Sequence, residues 1–135
     1  MAEKLFKLEI IAPDRVFYSK EIEMVEYNTT EGEVGVYASH IPMTQILAPG
    51  ELIITESPES KKNAALHTGF VEITGDKVTI LAEAVEWPED IDVKRAEEAK
   101  IRAERMLSNS GSGEVDMMRA ELALKRALLR LSMAK

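Results

Sequence analysis

The feature that most limits what this chain can fold into is a change in the period of its apolar residues at Trp87-Pro88. Before that point apolar side chains recur every second residue, the spacing of a strand with one buried face. Beyond it they recur at steps of three and four, the spacing of a helix with one buried stripe.

Phe6, Leu8 and Ile10 open the first pattern. Val16-Phe17-Tyr18, Ile22-Glu23-Met24-Val25, Leu52-Ile53-Ile54-Thr55, Ala64-Ala65-Leu66, Phe70-Val71-Glu72-Ile73 and Val78-Thr79-Ile80-Leu81 continue it as short, mostly β-prone runs. Between them stand turn formers: Pro13-Asp14, Glu31-Gly32-Glu33, Pro49-Gly50, Ser57-Pro58 and Gly75-Asp76. No interval is long enough for a crossover helix, so the runs predict an antiparallel sandwich or flattened barrel, with Thr74-Gly75-Asp76-Lys77 its clearest hairpin.

After Pro88 the acidic stretch Glu89-Asp90-Ile91-Asp92 suits a helix start, and Asp92 is the expected N-cap. Ala96, Ala99, Ala103 and Met106 form the stripe of a first helix over about residues 92–107. Ser108 to Gly113 breaks it, and Met117, Ala120, Leu124, Ala127 and Leu131 form the seam of a second helix over about residues 115–133. The prediction is an α+β chain, mainly β and then α. A sandwich over residues 1–87 precedes an antiparallel two-helix hairpin over residues 88–135. Alanine removes little area from water, so such a seam holds the hairpin weakly and leaves it able to open.

The electrostatics divide at the same place. Residues 1–87 carry seven Lys and Arg against fifteen Asp and Glu, a net −8, while residues 88–135 carry ten against nine, a net +1. From Val115 onward Arg119, Lys125, Arg126, Arg130 and Lys135 face only Asp116 and Glu121, so an acidic protein has a basic tail suited to an acidic surface or a polyphosphate. With no cysteine, disulfides and thiolate chemistry are excluded. The first residues alternate polar and apolar, unlike a signal peptide, and no apolar run approaches a bilayer span.

Enzyme signatures are lacking. His40 and His67 stand alone without helpers at metal-ligand spacing, so no metal site is expected. There is no glycine-flanked serine elbow, and Gly32-Glu33-Val34-Gly35 lacks the third glycine and following helix of a phosphate loop. The arginines are more informative. Arg95 and Arg102 project within about twenty degrees of each other on the first helix, and Arg119, Arg126 and Arg130 within about forty on the second. Beside Asp92, these rows can grip a triphosphate or form interhelical salt bridges with Glu97, Glu98, Glu104 and Glu121.

Four stretches in this order carry a resemblance: Gly32-Glu33-Val34-Gly35-Val36 with His40-Ile41-Pro42, Lys77 to Ala82, Asp90 to Ala96, and Arg119 to Ala127. Over essentially its whole length the chain resembles the epsilon subunit of the bacterial F-type ATP synthase. The resemblance implies a non-catalytic central-stalk subunit, peripheral to the cytoplasmic face of the bacterial cell membrane through its complex. Its sandwich is expected to dock on the gamma subunit and the rotor ring of c subunits, with Glu33 and His40 at the rotor-facing end. Its hairpin is expected to extend into the alpha/beta catalytic head, where Arg119, Arg126 and Arg130 meet an acidic beta-subunit segment and hydrolysis is inhibited. Neither a nucleic-acid partner nor membrane insertion of its own is implied.

The resemblance also implies a nucleotide. Some members hold ATP through an isoleucine or leucine, an aspartate, two variable residues, an arginine and an alanine, present here as Ile91-Asp92-Val93-Lys94-Arg95-Ala96. Glu86, Arg102, Arg126 and Arg130 match the accompanying positions, so regulatory ATP is the one ligand expected, with no cofactor required. Two positions depart from the family pattern. Ser39 replaces a glycine, and His67-Thr68-Gly69 replaces a serine and paired glycines, the latter expected to alter only local packing. A freestanding nucleotide-binding module and a β-sandwich adaptor for another acidic partner are the alternatives.

Overall fold

Every second side chain of the strand Phe6–Ala12 (β1) is buried, and that alternation is the rule of the unit it opens. The computed structural model describes residues 4–109 and 113–134, and its contacts divide the chain between Glu86 and Trp87 into a strand unit and a helical unit. The strand unit continues with Arg15–Ile22 (β2), Met24–Thr29 (β3), Gly32–Tyr37 (β4), Met43–Leu47 (β5), Gly50–Ser57 (β6), Ser60–Leu66 (β7), Gly69–Thr74 (β8), Lys77–Ala82 (β9) and Val85–Glu86 (β10). They form one sheet in the order β10-β7-β6-β3-β5-β8-β9-β1-β2, with β4 paired to β3.

All pairings are antiparallel, as expected, except that of β1 with β9. Those two run parallel, Leu8 opposite Val78 and Ile10 opposite Ile80. The crossover that a parallel pair requires is here the intervening run of strands itself rather than a helix. The core lies on the inner face, where Leu8, Ile10, Ile22, Val25, Leu52, Ile54, Val71 and Ile80 are fully buried. Tyr27 reaches the same interior and keeps its hydroxyl satisfied by donating to Gln45 Oε1 at 2.6 Å, while burial pushes its ionisation up to about 12.

Two sequence readings need correction, and two strands went unread. Ile22 to Val25 is not one strand, because β2 ends at Ile22 and β3 starts at Met24. Glu33 does not tip a loop. The turn is Thr30-Glu31, and Glu33 lies within β4 opposite Asn28. The strands β4 and β5 lack the apolar alternation that reveals a strand, since each buries only one side chain, Val36 and Leu47 respectively.

The far edge returns over the sheet, bringing β2 against β6. Just beyond β2, the Glu23 amide donates to the Thr55 carbonyl at 2.9 Å. Beside it, Glu56 accepts from the Tyr18 hydroxyl at 2.5 Å and from the Ser60 hydroxyl at 2.8 Å, with Lys62 and Lys20 Nζ at 3.4 and 3.6 Å. The tyrosine bond above all, then the serine bond and the two ammonium groups, overcomes desolvation and holds the Glu56 carboxyl down at about 2. Burial, and after it the same contact, raise Tyr18.

In the helical unit a short 3₁₀ turn, Pro88–Asp90, precedes Val93–Ser108 (α1) and Glu114–Met133 (α2). The Asp92 side chain caps α1 by accepting from the Arg95 amide at 3.1 Å. Residues late in α1, Arg102 and Met106, share a groove with Arg119 early in α2, so the helices run antiparallel. Ala96 and Ala103 on α1 and Ala120 and Ala127 on α2 are buried. Met106, expected in the stripe, is instead 43 % exposed, because the buried positions of α1 recur every seventh residue and leave it to one side. The expected reversal at Ser110, Gly111 and Ser112 lies outside the described residues.

The Glu56 cluster yields a signed prediction. A carboxylate held below its usual 4.5 stabilises the fold fully above that value and progressively less as pH falls towards 2. Urea unfolding of Glu56→Gln should show a loss of about 1–3 kcal/mol at neutral pH. The difference from the parent should shrink through that acid window.

Candidate functional site

Most of the residues expected to hold a nucleotide fall on the helical unit. Asp92 and Arg95 are exposed at the first turn of α1, Ile91 before them is buried, and Ala96 belongs to the buried seam. Arg102 and Arg119, both exposed, line a groove of about 300 Å³ together with Ala99, Ala103, Met106, Ala120 and Ala123. Arg126 and Arg130 are partly buried one turn apart on α2. The alternative of interhelical salt bridges fails, since among the described residues Glu97, Glu98, Glu104 and Glu121 form no ion pair. Positive charge along the hairpin is therefore not spent on those four carboxylates.

Glu86 belongs to the strand unit, on β10. It lies opposite Ala65 of β7, so it shares a face with Ala65 and, two residues along, His67. The imidazole is completely buried, and its Nε2 lies 3.3 Å from Glu86 Oε1. The His67-Thr68-Gly69 departure is thus not confined to local packing, because its histidine touches a residue of the expected nucleotide set. Gly69 meets a separate demand. Its φ is 152°, and a β-carbon there would lie 2.1 Å from the Leu81 carbonyl oxygen.

The residues expected at the rotor-facing end sit on and after β4. Glu33 is exposed on the strand, and His40 lies in the β4–β5 connection with Nδ1 2.8 Å from the Ile41 carbonyl. Ser39, in place of a glycine, has φ 65°, a left-handed conformation that an L side chain enters only at some cost. A glycine there would avoid that strain. Among the described residues no group of three or more His, Asp or Glu side chains could hold a metal ion. No helix among them is long and apolar enough to cross a membrane.

A surface that sequence reasoning missed lies on the outer face of the strand unit. Strand register aligns Ile46 with Phe70, Phe70 with Leu81, Leu81 with Ile11, and Ile11 with Val16. Paired residues share a face, so these five form one apolar row across β5, β8, β9, β1 and β2. Ile46, Phe70 and Val16 are 64, 46 and 57 % exposed. Two residues along, the parallel row is polar: Thr44, Glu72, Thr79, Glu9 and Ser19. At its Phe70–Leu81–Ile11 segment the apolar row borders a hollow of about 420 Å³ reaching Pro13 and Thr68. Each strand looked ordinarily half-polar in isolation, and only the register assembles the row.

The chain is similar to two successive family models. Residues 5–88 match the ATP synthase delta/epsilon chain beta-sandwich domain, and residues 89–135 its long alpha-helix domain. Among curated relatives, the ATP synthase epsilon chain of Caldanaerobacter subterraneus subsp. tengcongensis is 42% identical over 132 residues, covering 98% of this chain and 95% of that protein. The epsilon chain of Shouchella clausii is 45% identical over 130 residues, covering 96% and 94%. Among solved structures, a chain of the Euglena gracilis mitochondrial ATP synthase superposes with TM-score 0.76 at 24% identity, covering 90% of this chain and 76% of that one, a likeness of fold.

Asp92 already has a structural duty as cap, and two substitutions separate it from a ligand-binding one. Asp92→Ala should cost about 1 kcal/mol and loosen amide protection in the first turn of α1 by hydrogen exchange. Asp92→Asn keeps a capping oxygen, so it should leave that protection near the parent's while removing the charge.

Proposed function

This chain belongs to the ATP synthase epsilon-chain family, whose members are non-catalytic, and we propose that it acts as a central-stalk subunit whose strand unit docks on gamma and the rotor ring while its hairpin gates ATP hydrolysis. The observation that carries the reading is the outward apolar row Ile46, Phe70, Leu81, Ile11 and Val16. An exposed apolar band flanked by a polar one is the mark of a surface that a partner covers. Gamma is the occupant suggested by the family, and Glu33 and His40 would then meet the ring. The chain would lie peripherally at the membrane through these partners alone.

The gating half rests on the seam. A hairpin whose only buried helix side chains are four alanines gains little from its own packing, so a second arrangement need lie only a few kcal/mol away. Extended, it would present Arg119, Arg126 and Arg130 to an acidic segment of the beta subunits. Folded, it would offer Ile91, Asp92, Arg95, Ala96, Arg102, Arg126 and Arg130 to ATP. A nucleotide favouring the folded form would relieve inhibition in proportion to its differential affinity for the two forms.

Phe70→Glu and Ile46→Glu point outward, so each should leave the thermal midpoint of the isolated chain near the parent's and abolish co-purification with gamma. Retained co-purification would remove the docking reading. On the reconstituted catalytic head, the full chain should lower ATP hydrolysis and a truncation after Glu89 should not. Millimolar ATP should raise the midpoint of the parent and not of Arg126→Ala. Equal hydrolysis with full and truncated chains would sink the gate, and an unmoved midpoint in the parent would sink the nucleotide.

A further inference from the structure

The groove between α1 and α2 is lined by two guanidinium groups and no carboxylate. Arg102 comes from one helix and Arg119 from the other, and the rest of the lining is Ala99, Ala103, Met106, Ala120 and Ala123. Among the described residues neither arginine side chain makes an ion pair or a hydrogen bond. Both are exposed, so water and salt screen them, yet two like charges brought into a groove of about 300 Å³ still oppose closure of the hairpin. Opening the hairpin separates them. An anion that meets both at once therefore binds the closed arrangement better than the open one, which is what a ligand must do to shift that equilibrium.

The lining narrows the kind of anion. Each guanidinium presents a planar fork of N–H donors that matches two oxygens of a phosphate. Arg95, exposed and likewise without an ion pair, lies within about twenty degrees of Arg102 on α1 and about 10 Å before it along the axis. Forks set along such a row suit phosphates linked in a chain. The five apolar side chains add no charge of their own and suit the uncharged body of the same molecule. A nucleotide polyphosphate meets both demands.

We propose that Arg119 is a phosphate-binding residue of the closed hairpin, acting with Arg102 across the groove and additional to the residues already named for ATP. The proposal rests on the nucleotide reading, but all of its contacts lie within the helical unit. The same arginine is one of those that would meet the acidic beta-subunit segment in the extended form. One guanidinium cannot serve both partners, so nucleotide held at Arg119 withholds it from that segment. Competition for a side chain is thus added to the shift in hairpin population.

The test uses the full chain and two readouts. Modification by an arginine-specific dicarbonyl, mapped by mass spectrometry, should slow at Arg102 and Arg119 in millimolar ATP. It should stay unchanged at Arg105, an exposed arginine of α1 outside the groove. In calorimetric titration Arg119→Ala should weaken ATP about tenfold, the loss expected for one charge-assisted contact. Arg119→Lys keeps the charge and loses the fork, so it should recover only part, and Arg105→Ala should bind as the parent does. Both positions are exposed and alanine favours a helix, so the variants should fold like the parent.

In a parent that binds ATP, an Arg119 modified as fast with nucleotide as without, or an Arg119→Ala that binds undiminished, would overturn the proposal and leave the nucleotide reading standing. Protection of Arg119 by polyglutamate and not by ATP would give the groove to a carboxylate-bearing partner and overturn it as well. A parent that binds no ATP would overturn both.

Discussion

The parallel pairing of β1 with β9 is the constraint on which the strand unit depends. It joins the first strand to the ninth across more than sixty residues of intervening chain, and it does so in a register that turns Leu8, Ile10, Val78 and Ile80 to one side. Slipping either strand by a single residue would send its own two outward. Because the pairing is so remote in sequence, the loop-closure entropy must be offset by apolar burial along both strands, and their inward positions are fully or almost fully buried.

That register governs the outside as well. By facing Leu8 and Ile10 inward it faces Ile11 outward beside Leu81, which sits beside Phe70. Core and docking row are thus two consequences of one alignment, and neither can be moved while the other stays. The edge is treated differently. Where β2 returns over β6, the Glu23–Thr55 backbone bond and the charged Glu56 cluster help to join them, so acid weakens this seam before it weakens the apolar core.

The helical unit follows a looser rule. Seven-residue spacing of alanines on both helices lets the backbones approach, while arginines gather along the groove beside them. Close approach without large buried side chains brings helices together with little stabilisation, which suits an element that changes partner. The strand unit resists such change, since each of its ladders is crossed by buried Leu, Ile or Val.

Much of this was legible from residue order. Alternation marked β1, β6, β8 and β9, the acidic run before Val93 marked the cap, and alanine spacing marked the seam. Strands β4 and β5 were not legible, because each buries one residue and their hydrogen bonds, which hold them, leave no trace in hydropathy. The local periods determined that strands precede helices and which residues of each turn inward, since those are short-range consequences of backbone geometry. Only the tertiary structure decided that five apolar residues from five strands form one row, and that a buried histidine meets Glu86. Both are matters of pairing between distant segments, and pairing is chosen by the burial and hydrogen bonding of the whole sheet rather than by the residues along any one strand.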